Sequence, residues 1–173
     1  MGALNLDDVI RKVPDFPKDG ILFYDITSIF TQPDAFEFCV NTMYDLYCGK
    51  RLDGIAAVES RGFLFAAPLA VKLHLPLLLI RKKGKLPGKT YSCEYALEYG
   101  SATIEAHQAD IKRGGQYLVI DDLIATGGTL TACKNILNQG GASVAEFCAV
   151  IGLSEFPYQK ALSPTPVTTL ITY

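Results

Sequence analysis

Two neighbouring acids, Asp121 and Asp122, stand directly after the apolar run Leu118-Val119-Ile120 and shortly before Ala125-Thr126-Gly127-Gly128-Thr129. The β-favouring residues 116–120 follow an Arg113-Gly114-Gly115 turn, and residues 130–139 carry a helical pattern of apolar positions. The expected local order is strand, acid pair, anion loop, helix. In such a loop adjacent peptide N–H groups converge on a phosphate, and the helix N-terminus behind them adds partial positive charge. Gly127 and Gly128 permit positive φ and close backbone approach. Two carboxylates where a strand stops suit the cis hydroxyls of a ribose, so a ribose 5-phosphate satisfies both halves. A plainer reading has the acids opening an ordinary turn that the glycines relieve, since short glycine motifs often match by chance. The competing phosphate motifs, G-x-x-x-x-G-K-[ST] and G-x-G-x-x-G, do not occur in the chain.

The elements that must position this unit follow from periodicity. Residues 4–13 put Leu6, Val9, Ile10 and Val13 on one helical face, with Asp7 and Asp8 in the first turn and Pro14 ending the helix. Pro14, Pro17 and Gly20 make residues 14–20 a loop, and residues 21–27 read as a short strand entering the core. Pro33 opens a helix whose buried face would be Phe38, Cys39, Thr42, Met43 and Leu46, with Gly49 stopping it. Residues 55–58 suit a buried parallel strand that delivers Glu59-Ser60-Arg61-Gly62 at its end, with a helix from about Phe63. In open α/β sheets ligands collect on that edge.

Residues 77–80 form a third strand that Arg81 ends, and Arg81-Lys82-Lys83-Gly84-Lys85 places four cations in five positions. A charge run is usually a solvated face. Between a core strand and a glycine-bearing loop it can equally clamp an anion. Residues 90–108 favour a hairpin turning near Tyr99-Gly100-Ser101, an excursion from the sheet mobile enough to act as a lid. Gly140-Gly141 stops the next helix, and residues 144–151 and 167–172 supply two more strands. Strands alternating with helices predict a doubly wound α/β fold with a mostly parallel sheet and a lid hairpin.

With 173 residues and 49% hydrophobic content, a single domain over residues 1–173 with its own core is expected. A net charge of −2 and an isoelectric point near 5.7 argue against a nucleic-acid partner, whose phosphates need a basic face. Cys39, Cys48, Cys93, Cys133 and Cys148 form no C-x-x-C, and three of them fall within apolar patterns, which suits reduced thiols in a cytoplasmic protein. The first nine residues lack the basic start and apolar stretch of a signal peptide, and Leu6 breaks the Gly2 myristoylation pattern. Residues 63–80 approach membrane-spanning length, but Pro68, Lys72, His74 and Pro76 interrupt them, so no membrane partner is expected. His74 and His107 are isolated and are read as surface or core residues, not ligands.

The run from Val119 to Thr129 resembles the phosphoribosyl diphosphate (PRPP) fingerprint of the type I phosphoribosyltransferases: apolar residues, two acids, then a T-G-G-T loop. The likeness extends over nearly the whole chain. Phe16-Pro17, Gly20-Ile21-Leu22-Phe23, Glu59-Ser60-Arg61-Gly62-Phe63, residues 81–88 and Leu97-Glu98-Tyr99-Gly100 occur in the order seen in the adenine-specific branch of that family. The resemblance implies transfer of the 5-phosphoribosyl group from PRPP to N9 of adenine, giving AMP and diphosphate in purine salvage. It also implies Mg²⁺ bound mainly through PRPP with no direct protein ligand set, and a homodimer.

By position, the resemblance assigns Asp121 and Asp122 to the ribose hydroxyls, and Ala125, Thr126, Gly127, Gly128 and Thr129 to the 5-phosphate. Ser60 and Arg61 would bind diphosphate at a turn where an unusual non-proline dihedral is expected, and Arg81 and Lys85 would reach it, often across a dimer interface. Residues 1–33 would form the base-binding segment and residues 82–108 the lid. Leu22, Phe23 and Tyr24 would occupy the adenine site, gripping the base with main-chain groups at Leu22 and Tyr24, with Leu153 as the opposite wall. Glu98 matches the acid that reaches the purine imidazole edge, and Tyr99 would close beside it.

Two departures stand out: Tyr24 replaces a common arginine, and Gly152 precedes Leu153 where an acid is common. Tyr24 is expected to change how the pocket mouth meets the lid, and Gly152 to loosen the base-site floor. Other readings remain. A phosphoribosyltransferase for a 6-oxopurine would ordinarily discriminate with a lysine side chain, where residues 22–24 offer backbone. A PRPP-sensing regulator would turn residues 81–85 toward nucleic acid, against the acidic balance. A scaffold without chemistry would have no use for Glu98 and both aspartates.

Overall fold

The computed structural model describes residues 4–96 and 100–173. Helix α1 (Leu6–Val9) and two short strands, β1 (Arg11–Pro14) and β2 (Leu22–Asp25), open the chain, followed by α2 (Thr27–Phe30) and α3 (Pro33–Tyr47). Next come β3 (Gly54–Val58), α4 (Arg61–Leu73), β4 (Leu77–Lys82), the hairpin β5 (Thr90–Ala96) and β6 (Ser101–His107), and a 3₁₀ turn at Gln108–Asp110. The chain continues through β7 (Gln116–Ile124), α5 (Gly128–Gln139), β8 (Ser143–Gly152), α6 (Tyr158–Leu162) and β9 (Val167–Thr172).

The main sheet runs β5-β6-β4-β3-β7-β8-β9. From β4 to β9 all neighbours are parallel. Such strands must be apolar on both faces. Side chains alternate accordingly: Ala56, Val58, Val119 and Phe147 join one buried cluster beneath α5, while Ile55, Ala57, Leu118, Ile120 and Cys148 join the other with α3 and α4. This is the expected doubly wound architecture. After β3 the chain adds β4 on one side and later β7 on the other, so the order of growth reverses between β3 and β7. A crevice opens outside the carboxyl ends of strands at such a reversal.

Several local expectations change. The helix predicted over residues 4–13 stops at Val9, and Arg11–Pro14 pairs antiparallel with Leu22–Asp25. Eight residues of helical spacing do not outweigh that ladder, and Pro14 disfavours helical backbone at Val13. Residues 22–25 therefore lie in a separate two-stranded sheet and not in the core. On α3 the buried set is Ala35, Cys39, Val40, Met43 and Tyr47, while Phe38 and Leu46 are exposed, a rotation of the expected face. The strand after the glycine turn runs on to Ile124, so Asp121 and Asp122 sit within β7 and not beyond it. The hairpin is no free excursion: β6 extends the sheet through Arg81 opposite Glu105 and Lys82 opposite Ile104. No helix among the described residues is long and apolar enough to cross a membrane.

Candidate active site

Because Ala57 pairs with Ile120, the residues that follow β3, Glu59, Ser60 and Arg61, lie beside Asp121 and Asp122 in the last part of β7. Between them lies a cleft of about 450 Å³, lined by residues 58–61, residues 121–130, Lys82, and Tyr95 and Ile104 of the hairpin. Gly62 sets how closely the two strand ends approach. A Cβ there would lie 2.9 Å from the Ile120 carbonyl oxygen and 3.2 Å from Asp121 Cα, so only glycine lets the first turn of α4 rest on the acid pair. The Glu59–Ser60 peptide just before it is cis, the unusual dihedral expected at this turn.

Arg61 Nε donates to Asp122 Oδ2 at 2.5 Å. The Asp122 side chain is nearly inaccessible (6%), whereas the Arg61 side chain stays half exposed. Asp121 Oδ1 accepts the Asp122 N–H at 2.9 Å. Burial and the adjacent Asp122 carboxylate together raise the Asp121 pKa well above its ordinary value, with Arg61 acting in the opposite direction.

Beyond the acids, Gly127 takes φ 83° at the N-cap of α5, a left-handed conformation that glycine adopts freely. Among the described residues of the 125–129 loop, the internal amide hydrogen bond is Gly128 N–H to Thr126 Oγ1, long at 3.4 Å. The first amides of a helix lack intrahelical acceptors, so α5 presents donors and the positive end of its dipole to the cleft.

A second cavity of about 370 Å³ is lined by Gly20, Ile21, Leu22, Tyr24, Leu153, Ser154, Glu155 and Tyr173. The Tyr24 and Tyr173 rings stack with centroids 3.9 Å apart and planes inclined by 17°. Tyr173 is anchored by its backbone, donating to the Gly152 carbonyl at 2.9 Å and accepting the Ser154 N–H at 2.7 Å. The walls of the two cavities are tied by one hydrogen bond, from Leu153 N–H to the Ile124 carbonyl at 2.9 Å.

The family model described as "Phosphoribosyl transferase domain" matches residues 28–163. An adenine phosphoribosyltransferase of Treponema denticola is 56% identical over 168 residues, covering 97% of this chain and 88% of its own. The chain belongs to the adenine phosphoribosyltransferase family. Two solved adenine phosphoribosyltransferases share its fold. That of Thermoanaerobacter pseudethanolicus is 38% identical with a TM-score of 0.92, covering 96% of this chain and 97% of its own. That of Saccharomyces cerevisiae, complexed with D-2,5-dideoxy-2,5-imino-altritol 1,6-bisphosphate and adenine, is 34% identical with a TM-score of 0.89, covering 96% of each chain.

Of the residues expected from adenine phosphoribosyltransferases, Ser60, Arg61, Asp121, Asp122 and residues 125–129 meet in the first cleft, and Leu22, Tyr24 and Leu153 in the second. Arg81 and Lys85 line neither. Arg81 Nη2 donates to Glu59 Oε1 at 3.2 Å and Nη1 to the Lys85 carbonyl at 3.3 Å, which turns the guanidinium onto its own loop. Lys82, one position along, faces the cleft instead. Phe23 lies on the other side of β2, edge-on to Phe16 with centroids 5.1 Å apart. Glu98 and Tyr99 fall outside the described residues.

Both departures from the family pattern have a structural outcome. Tyr24 meets the C-terminal Tyr173 in a stack. Gly152 does not leave the floor loose: a Cβ there would lie 2.5 Å from the Tyr158 hydroxyl and 2.8 Å from Thr169 Cγ2, so neighbours fill the space. Sequence reasoning missed Glu59, Lys82, Tyr95, Glu155 and Tyr173. Glu59, inside the quoted Glu59-Ser60-Arg61-Gly62 turn, and Lys82, inside the cation run, carried a signal.

Proposed function

We propose that the chain transfers the 5-phosphoribosyl group of PRPP to N9 of adenine, releasing diphosphate and forming AMP for purine salvage. The observation that carries this reading is the cleft that joins an acid pair to a loop of available amides, with a second cavity nearby whose Leu153 is hydrogen-bonded to Ile124 of the first. The bisphosphate analogue and adenine bound by the yeast relative support the same pairing of ligands.

In the proposed arrangement the amides of residues 125–129 and the α5 N-terminus hold the 5-phosphate. Asp121 and Asp122 accept from the ribose hydroxyls, and their charge favours the oxocarbenium-like ring that develops as diphosphate leaves. Arg61 and Ser60 bind the departing diphosphate, with Lys82 and Lys85 adding positive charge from the neighbouring loop. Arg81 joins them only by leaving Glu59. Adenine lies against Leu22, Tyr24 and Leu153 with main-chain groups reading its edge; holding N9 at the anomeric carbon makes the attack effectively intramolecular. Glu98 takes the adenine proton as N9 bonds, and Tyr99 closes beside it.

Mg²⁺ fits this donor set as an ion carried by substrate. No group of three or more His, Cys, Asp or Glu side chains suited to a metal occurs among the described residues. Mg²⁺ characteristically takes few protein ligands beside phosphate oxygens and water, so PRPP would hold it, with Asp121 and Asp122 nearby on the ribose hydroxyls. When bound, it lowers the charge of the leaving diphosphate.

The chain works as one domain, residues 1–33 serving the base side and residues 82–108 the lid. We propose a homodimer formed across α4 and β4, where Leu64 (47%), Val71 (81%) and Leu79 (38%) are exposed apolar side chains. A cytoplasmic location accords with five free cysteines. Incubation with radiolabelled adenine, hypoxanthine or guanine, each with PRPP and Mg²⁺, tests the assignment. AMP is expected to dominate; IMP or GMP in its place would move the chain to 6-oxopurines, and no nucleotide at all would refute transfer.

A further inference from the structure

We propose that Glu105 is a positioning residue for the diphosphate side of the site, holding the cation-bearing loop 82–88 in shape through that loop's own backbone. The inference rests on the reading of Lys82 and Lys85 as diphosphate contacts. Glu105 lies on β6 opposite Arg81 and is only 6% exposed. Its Oε1 accepts Gly84 N–H at 2.9 Å and Leu86 N–H at 3.2 Å, and its Oε2 accepts the Thr90 hydroxyl at 3.4 Å. At the start of the loop Glu59 Oε2 takes Lys82 N–H at 2.9 Å. Lys83 N–H donates to the Thr103 carbonyl at 3.0 Å and Lys85 N–H to the Lys82 carbonyl at 3.2 Å.

Every amide from residue 82 to residue 86 is therefore taken internally, three of the five by carboxylates. This loop is the opposite of the 125–129 loop: its backbone is committed to the protein, leaving the lysine side chains to meet an anion. The commitment matters because Gly84 and Gly88 take φ of 84° and 85°, with open space around each, so packing does not crowd the loop into one course; Arg81 adds one bond, to the Lys85 carbonyl. A buried acid is costly unless its oxygens are bonded, and here the bonds run to the loop and to Thr90. Glu105 also sits on the return strand of the hairpin, so one side chain ties the base of the lid to the diphosphate loop.

Two conservative variants separate reach from charge. Glu105→Asp keeps the charge but withdraws it by one methylene. Glu105→Gln keeps the reach, since a single amide oxygen can accept both N–H groups. Steady-state kinetics with each substrate varied should show Glu105→Asp raising the PRPP KM about tenfold, with the adenine KM within about twofold of the parent. Glu105→Gln should stay close to the parent in both. A parent-like Glu105→Asp, a Glu105→Gln more impaired than Glu105→Asp, or equal losses for the two substrates would overturn the proposal. A Lys82→Ala Lys85→Ala protein is the reference. If its PRPP KM is unchanged, the loop is not the diphosphate side and the proposal falls with that reading. If it rises while Glu105→Asp stays parent-like, only the positioning role falls.

Discussion

Arg61 and Asp122 are joined by a 2.5 Å hydrogen bond from Nε to Oδ2, although they serve opposite sides of the same sugar in the proposed site. Binding PRPP must exchange this pairing for substrate oxygens, so the ion pair holds both groups in the cleft until substrate arrives. Asp122 is buried and Arg61 half exposed, so losing the Asp122 charge removes the group that holds Arg61 in the cleft. Asp122→Asn should therefore raise the PRPP KM roughly tenfold and lower kcat, with the adenine KM little changed. The double change Asp121→Ala Asp122→Ala should do both more severely. Initial-rate kinetics identical to the parent for the double variant would refute the role of the acid pair.

Asp121 trades stability for chemistry. Burial beside Asp122 raises its pKa in the folded protein above the unfolded value of about 3.8. The folded state then binds the proton more tightly than the unfolded state, so stability falls as pH rises through the folded pKa. Asp121→Asn should melt higher than the parent at pH 7, by about 2–4 °C for each kcal/mol relieved. The gap should shrink as pH is lowered from the folded pKa toward 3.8 and vanish below it, where both states are protonated. Calorimetric scans across pH check this; a gap that widened at low pH would contradict it. Activity should fall in the same variant.

Gly62→Ala tests the packing that brings the strand ends together. Its added methyl would meet the backbone at Ile120 and Asp121, which cannot swing aside like a side-chain tip. Denaturant unfolding should show a loss of about 1–3 kcal/mol, with a higher PRPP KM in the fraction that folds. A variant as stable as the parent would mean that β7 shifts to accommodate it.

Tyr173→Ala removes the ring stacked on Tyr24 while keeping its backbone bonds to Gly152 and Ser154. Stacked aromatic pairs contribute about 0.5–1.5 kcal/mol beyond area burial. The adenine KM should rise about three- to tenfold with the PRPP KM unchanged. An effect on PRPP alone would separate this cavity from the base.

Much of this arrangement is legible in the chain itself. Residues 55–58 are apolar on both faces, as are 147–151 after Glu146, and a covered parallel sheet satisfies that. Asp121, Asp122 and the loop to Thr129 are contiguous, so their meeting in one cleft is legible from spacing. What escapes are contacts between distant segments. Arg11–Pro14 becomes a strand because residues 22–25 pair with it, and no local period encodes that. Within one chain Arg81 bonds Glu59 and the Lys85 carbonyl while Lys82 lines the cleft, a pairing that the cation run alone does not encode. Tyr173 and Glu155 reach the second cavity only because β8 and β9 are neighbours, which periodicity alone does not reveal.

The most direct test is a crystal structure of the protein grown with AMP, Mg²⁺ and diphosphate. The 5-phosphate should lie on the amides of residues 125–129, the ribose hydroxyls on Asp121 and Asp122, and the adenine between Leu22, Tyr24 and Leu153. A nucleotide bound outside the cleft, or a phosphate gathered by Lys82 and Lys85 with the 125–129 loop empty, would contradict the account.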